Sequence, residues 1–300
     1  MKSMYYYKFY GMRIHSDFEF VQLIKLSEEE RLLEPEIIIQ EQILPQELKK
    51  EQECYYHIDK EKSVIANSYC YLLIEDGEKI FYERKPQATQ ELLSAYILGW
   101  GISVLFHQRG QLAIHCSCVA KDGTALFVSG NSGSGKSTIT SGLLEKGYSF
   151  MADDMSVVKM AENGDALATA AFPYQKLCRD VAEMSSVPAK EMVYIDEEKD
   201  KFLVPYKGTF EDRPTPLKAV FVLEIAEGDQ VTIQELAGAA KLQACMNALF
   251  LAPLLGESLY APENGMRVLK FASRIPVYRV KRPIGRDSKE EVLETILKVL

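Results

Sequence analysis

Two groups of residues in this chain have types and spacing suited to chemistry. The first is Gly130-Asn131-Ser132-Gly133-Ser134-Gly135-Lys136-Ser137, closed by Thr138. It fits a Gly-x-x-x-x-Gly-Lys-Ser pattern that follows an apolar run, Leu126 to Ser129, and precedes a helix-forming one, the context this motif requires. In such a loop, glycines let successive backbone N–H groups converge on a β-phosphate, and the following helix adds its positive end. Lys136 would reach the β- and γ-phosphates, and the Ser137 hydroxyl would serve Mg²⁺. The second group is Asp153-Asp154, adjacent carboxylates after the apolar run Tyr148 to Ala152. One carboxylate could accept the proton of an attacking hydroxyl, worth ~10²–10⁴ in rate. The other could hold Mg²⁺ or orient its water ligands. Neighbours on a strand face opposite sides, so the two serve different roles, and spacing leaves open which does which.

The elements that must position these groups are legible nearby. Asp122-Gly123 between two apolar runs, Gln111 to Ala120 and Thr124 to Ser129, signals a tight hairpin. If those two residues form the turn, Lys121 faces Thr124, and pairing at a constant sum of 245 sets His115 opposite Gly130. A histidine at the mouth of the loop could hydrogen-bond an aspartate or touch the γ-phosphate, and its charge would change near neutral pH. Ser137 to Lys146 should be a helix, with Gly147 as its C-terminal cap. The returning strand then runs parallel to the first and brings both aspartates to the carboxyl end of the sheet, where open α/β sheets bind ligands. Phosphoryl transfer also needs positive charge on the transferring group, worth ~10³–10⁵ from one arginine. Lys176 and Arg179, one turn apart on a helix expected from Tyr174 to Met184, are the first choice. Arg274, Arg279, Lys281 and Arg282 form a later basic cluster, read as surface charge or peptide docking. Glu224 ends a strongly apolar strand and is a weaker carboxylate candidate.

Residues 1 to about 85 alternate aromatic or β-branched residues with polar ones and read as β-rich. A helix follows from Thr89 to His107, with Pro86 as the boundary. The expectation is an α/β chain (α+β overall) with a β-rich domain over 1–86 and a nucleotide-binding domain over 87–300. Acidic residues outnumber basic ones, 43 to 35, for a net charge of −8, which gives no general attraction to nucleic acid. The most apolar run, Leu92 to Phe106, is 15 residues long, shorter than a membrane span needs. The opening residues lack a secretory signal, and the six cysteines are scattered, so a cytoplasmic protein with reduced thiols is expected.

Ile114-His115, Gly130 through Ser137 and Ala152-Asp153-Asp154 together resemble the catalytic domain of the HPr kinase/phosphorylase family. The spacing matches too: His115 lies 15 residues before Gly130, and Asp153 lies 16 after Ser137. The resemblance covers roughly Gln111 to Val158. It implies a P-loop fold of the HPr kinase/phosphoenolpyruvate carboxykinase type, ATP and Mg²⁺ as cofactors, and phosphorylation of a serine hydroxyl. By matching position, Asp153 would be the general base with His115 as its neighbour, and Asp154 and Ser137 would serve the metal. The family's Ile-Arg-Gly-Leu-Gly type segment is absent; this chain has Phe172-Pro-Tyr-Gln-Lys-Leu-Cys-Arg-Asp180 there. The chain looks more like stand-alone homologues among peptide-modification enzymes, including kinases of lasso-peptide precursors. The acceptor is then expected to be a peptide or small protein bearing serine, and a homo-oligomer is compatible with this reading. The rivals are an ATP-binding regulatory or assembly protein without phosphotransfer, and a small-molecule kinase. Transport-ATPase (Leu-Ser-Gly-Gly-Gln) and GTPase (Asn-Lys-x-Asp) signatures are missing from the sequence.

Overall fold

The computed structural model describes residues 3–49, 54–195, 200–250, 252–256 and 261–300, and the chain divides into two compact units. Elements are numbered along the chain. The first unit comprises Met1–Gln111, Phe172–Pro205 and Pro253–Asn264. Residues 87–111, expected with the nucleotide-binding half, therefore cluster with the β-rich segment.

In this unit the alternating pattern of the first 85 residues forms, among the described residues, eight strands: β1 (Tyr5–Phe9), β2 (Met12–Ser16), β3 (Ile24–Lys25), β4 (Ile37–Glu41), β5 (Tyr55–His57), β6 (Lys62–Ala66), β7 (Cys70–Glu75) and β8 (Lys79–Arg84). They make one sheet in the order β3-β1-β2-β4-β8-β7-β6-β5. The inward residues alternate as strand geometry demands; along β2, Met12, Ile14 and Ser16 are buried while Arg13 and His15 are half-buried. Thr89 caps the next helix, its hydroxyl accepting from the Leu92 N–H. That helix runs as α1 (Gln90–Tyr96), a π-helical turn at Ile97–Gly101 and α2 (Ile102–Gln108). No helix among the described residues is long and apolar enough to cross a membrane. A separate three-stranded sheet pairs β15 (Tyr174–Cys178), β17 (Lys201–Pro205) and β16 (Val193–Ile195), with α4 (Arg179–Glu183) following β15.

The second unit, Leu112–Ala171, Tyr206–Ala252 and Gly265–Leu300, carries the loop. Its strands are β9 (Leu112–Ile114), β10 (Cys116–Lys121), β11 (Thr124–Gly130), β12 (Ser149–Ala152), β13 (Ser156–Met160), β14 (Ala166–Thr169), β18 (Thr215–Ala226), β19 (Thr232–Glu235) and β20 (Val277–Pro283). The sheet order is β12-β10-β11-β18-β14-β13-β9, and β20 pairs with both β18 and β19. The hairpin register is the expected one: Lys121 faces Thr124, and the sum of 245 holds out to Cys116 opposite Ser129. Asp122 (φ 51) and Gly123 (φ 74) both lie in the left-handed region that a two-residue turn of this kind needs. β12 is antiparallel to β10, which is antiparallel to β11, so β12 runs the same way as β11 with one strand between them. β11 also runs parallel to β18, and β18 to β20, so the ends of these three strands and of β12 open on the same edge.

The helices of this unit are α3 (Lys136–Glu145), α5 (Gly238–Asn247) and α8 (Lys289–Leu297), while a short α6 (Ala252–Leu255) lies almost wholly in the first unit and α7 (Pro262–Arg274) begins there. One sheet face is covered by α3 and α8. Val119, Leu126, Val128, Phe221 and Leu223 from the strands pack against Ile139, Leu143, Val292, Leu293 and Ile296 in a single buried cluster. This layer fixes the start of α3 against the end of β11, and so fixes the loop between them.

Candidate active site

The loop begins where β11 stops. At Gly130 the backbone takes φ +142, and a Cβ there would stand 2.5 Å from the Leu223 carbonyl oxygen and 2.6 Å from Ser134 Oγ. Only glycine fits, because the loop turns back within contact of its neighbouring strand. Gly133 and Gly135 also have positive φ, and the chain enters α3 without a side-chain cap on its first turn. The N–H groups of that turn, where Ser137 and Thr138 sit, therefore make a ready anion site. The Lys136 ammonium folds along the loop and donates to the carbonyls of Gly130 (2.6 Å) and Asn131 (3.3 Å). Ser134 is buried, and its hydroxyl has no hydrogen-bond partner among the described residues. Asn131, Ser132, Gly133 and Thr138 are exposed.

From outside, Arg282 on β20 braces the loop, its Nε donating to the Ser134 carbonyl (2.7 Å) and its Nη2 to that of Gly133 (3.2 Å). Arg279, on the same strand, donates to Glu224 Oε1 at 3.0 Å. These two members of the later basic cluster are thus not loose surface charge. The sequence, in which they read as surface charge or peptide docking, does not show this role, because it depends on β20 running parallel to β18, which places Glu224 opposite Lys281.

The aspartates follow β12 as expected, but in a turn rather than on the strand. Asp154 adopts φ +66, and the Met155 N–H closes onto the Asp153 carbonyl at 2.8 Å. The two carboxylates are separated by this turn, not by strand alternation. Asp153 Oδ1 accepts from Ser117 Oγ at 2.6 Å, a contact the sequence reading did not anticipate. His115, expected beside Asp153, instead contacts Asp154: its Nδ1 lies 3.0 Å from the Asp154 carbonyl oxygen and 3.6 Å from Asp154 Oδ1. A carbonyl only accepts, so Nδ1 carries the proton in this bond. The backbone of His115 is tied on both sides, its N–H to the Ala248 carbonyl (2.7 Å) and its carbonyl to Ser129 Oγ (2.8 Å). Burial lowers its pKa from the usual 6.5, opposed by Asp154 and reinforced by Lys136. At neutral pH the ring is therefore neutral, with its second nitrogen, Nε2, a lone-pair acceptor. Asp153 also acts on this histidine through space, so the field of the ring registers Lys136 and both aspartates together.

Beside His115, Gly130 and Asn131 lies a cavity of ≈ 230 Å³. It is also lined by Glu224, Arg279 and, from α5, Gln243 and Asn247.

Lys176 and Arg179 are not on one helix. Lys176 is on β15, paired with Leu203, and Arg179 opens the five-residue α4. Both belong to the first unit. Arg179 holds Asp200 in a bidentate pair (2.6 and 2.9 Å) and lies over the Phe202 ring at 5.0 Å from its centroid, which is a structural duty. The segment misled because Tyr-Gln-Lys-Leu-Cys is too short for its period to separate strand from helix.

The residues fit a nucleotide and Mg²⁺. The loop supplies the uncapped N–H groups of the first turn of α3, a lysine and the Ser134 hydroxyl, with Arg282 bracing it from β20, while Ser137 and Asp154 supply hard oxygen donors of the type Mg²⁺ takes. Among the described residues there is no cluster of three or more His, Cys, Asp or Glu side chains able to hold a metal ion.

No family model and no curated protein matches this chain. Among solved structures, the chain is similar to the HPr(Ser) kinase/phosphatase from Coxiella burnetii, with a TM-score of 0.31 and 9% identity over 62% of this chain and 95% of that one. A likeness of that size carries no functional argument.

Proposed function

We propose that this protein is an ATP-dependent phosphotransferase that moves the γ-phosphate to a serine hydroxyl. The observation that carries the proposal is the P-loop with a carboxylate pair and a histidine gathered in the same unit. The loop N–H groups and Lys136 hold the phosphates, and Arg282 keeps the loop in shape for them. The Asp153 carboxylate takes the proton of the acceptor hydroxyl as the new O–P bond forms and the bond to the ADP oxygen breaks. Ser137 and Asp154 are the residues that would hold Mg²⁺, which when bound neutralises charge on the phosphates. His115, neutral and tied at Nδ1, fixes the turn that presents Asp154.

The sequence resemblance supports a serine carried by a peptide or small protein. A second reading, a small-molecule acceptor, is favoured by the cavity of ≈ 230 Å³ beside His115, below the ~300–1,000 Å³ typical of drug-sized ligands. Incubation with labelled ATP, with serine-containing peptides and with small hydroxy compounds, read by mass spectrometry, tests both. Asp153→Asn should bind ATP as the parent does and lose transfer. Transfer retained by that variant refutes the mechanism, and ATP bound without transfer to any acceptor would leave a regulatory nucleotide-binding protein in its place.

A further inference from the structure

Ser117 is an anomaly in its strand. The sequence Cys116-Ser117-Cys118-Val119-Ala120 is apolar but for this hydroxyl, and all five residues are buried, Ser117 at 1% exposure. A hydroxyl taken from water into such surroundings costs free energy unless it is hydrogen-bonded. Its bond goes to Asp153 Oδ1 at 2.6 Å. The register explains how the two meet. Cys118 pairs with Ala152 across β10 and β12, so the next step along the two strands puts Ser117 beside the first residue beyond β12, which is Asp153. On its other side Ser117 is paired with Val128, inside the central hairpin. Asp153 sits at the start of a turn whose second residue has φ +66. The hydroxyl that bonds the carboxylate is therefore carried on a strand with a neighbour on each side, β11 and β12.

We propose that Ser117 is a positioning residue for the phosphotransfer centre, locking one oxygen of Asp153 so that the carboxylate is presented to the acceptor hydroxyl in a single orientation. The inference rests on Asp153 acting as the base. A base allowed to swing by about 1 Å loses up to ~10²-fold in rate, while nucleotide binding, made by the loop, is unaffected.

The test compares Ser117→Ala and Ser117→Thr with the parent in the labelled-ATP transfer assay, alongside ATP affinity by calorimetry and thermal melting. Expected for Ser117→Ala is a loss of about 10- to 100-fold in kcat, with KM for ATP and the melting temperature little changed. Ser117→Thr, which keeps the hydroxyl, should recover most of that loss. The proposal is overturned if Ser117→Ala transfers at the parental rate, or if its kcat falls only together with ATP affinity and melting temperature and Ser117→Thr recovers nothing. Failure of the underlying reading shows differently, as transfer that survives Asp153→Asn.

Discussion

Replacing Gly130 by alanine probes the loop more directly than any change to a charged residue, because its cost can be worked from two separate terms. The first is conformational. At φ +142 an L-residue is held in a region that costs about 1–3 kcal/mol. The second is steric: the new Cβ would press on the Leu223 carbonyl oxygen at 2.5 Å, part of the parallel β11–β18 ladder, and on Ser134 Oγ at 2.6 Å. Overpacking of this kind costs about a further 1–3 kcal/mol. Gly133→Ala is the matched control, since its φ of +80 imposes the first term while nothing lies within 4 Å of its Cβ position. The difference between the two variants isolates the close approach. Native-state hydrogen exchange reads it locally: amides of β11 and β18 should exchange about 5- to 150-fold faster in Gly130→Ala than in Gly133→Ala. Equal exchange in the two variants would refute the claim that the loop is pinned against β18.

Other expected outcomes follow from the same site. Arg282→Ala removes two charge-assisted bonds to loop carbonyls and should weaken ATP binding by about tenfold in calorimetry, and Arg282→Lys should restore little because one ammonium does not reproduce the planar fork. Gly142→Ala would drive a methyl into Leu293 and to 2.9 Å from Lys289 Cε, so despite alanine's better helix propensity the variant should lose about 1–3 kcal/mol of stability, seen as a lower melting temperature. The His115 pKa is lowered on folding, so the unfolded chain takes up this proton first: stability should be constant above the unfolded value of 6.5 and decline as pH falls from there toward the folded value. With 36% of the side chain exposed the decline is shallow, and His115→Gln should flatten it in melting curves taken from pH 7.5 to 5.

What could be read from the sequence was local. The Asp122-Gly123 turn fixed the β10–β11 register because two-residue turns of this type leave one pairing. The loop motif, the helix after it and the returning strand each rest on short-range signals of the same kind. What escaped required strands far apart in sequence to be neighbours. Arg282 reaches a loop almost 150 residues earlier through β18 and β20. Ser117 meets Asp153 only through the β10–β12 pairing, and a shift of register between Cys118 and Val119 lies next to it. His115 turned to Asp154 because the second aspartate leaves the strand in a left-handed turn, which Asp tolerates better than most residues but does not announce. Residues 87–111 look like the start of a new domain after Pro86, yet Arg109 on the far side of α2 bonds the carbonyl of Glu36 at 2.7 Å, within the β-rich unit.

The turn at Asp122-Gly123 also sets a rule for how this chain can change length. Side chains on a strand alternate between faces, so one residue added to the turn, with pairing re-formed, would exchange the faces presented by all of β10 relative to β11. Ser117 would then point away from Asp153 and a cysteine would take its place, while His115 would lose the Ser129 hydroxyl that now holds its carbonyl. An insertion of two would restore the faces but slide the strand by a pair. The stretch between His115 and the loop thus behaves as a ruler with fixed graduations, whose length cannot drift without moving Ser117 off Asp153.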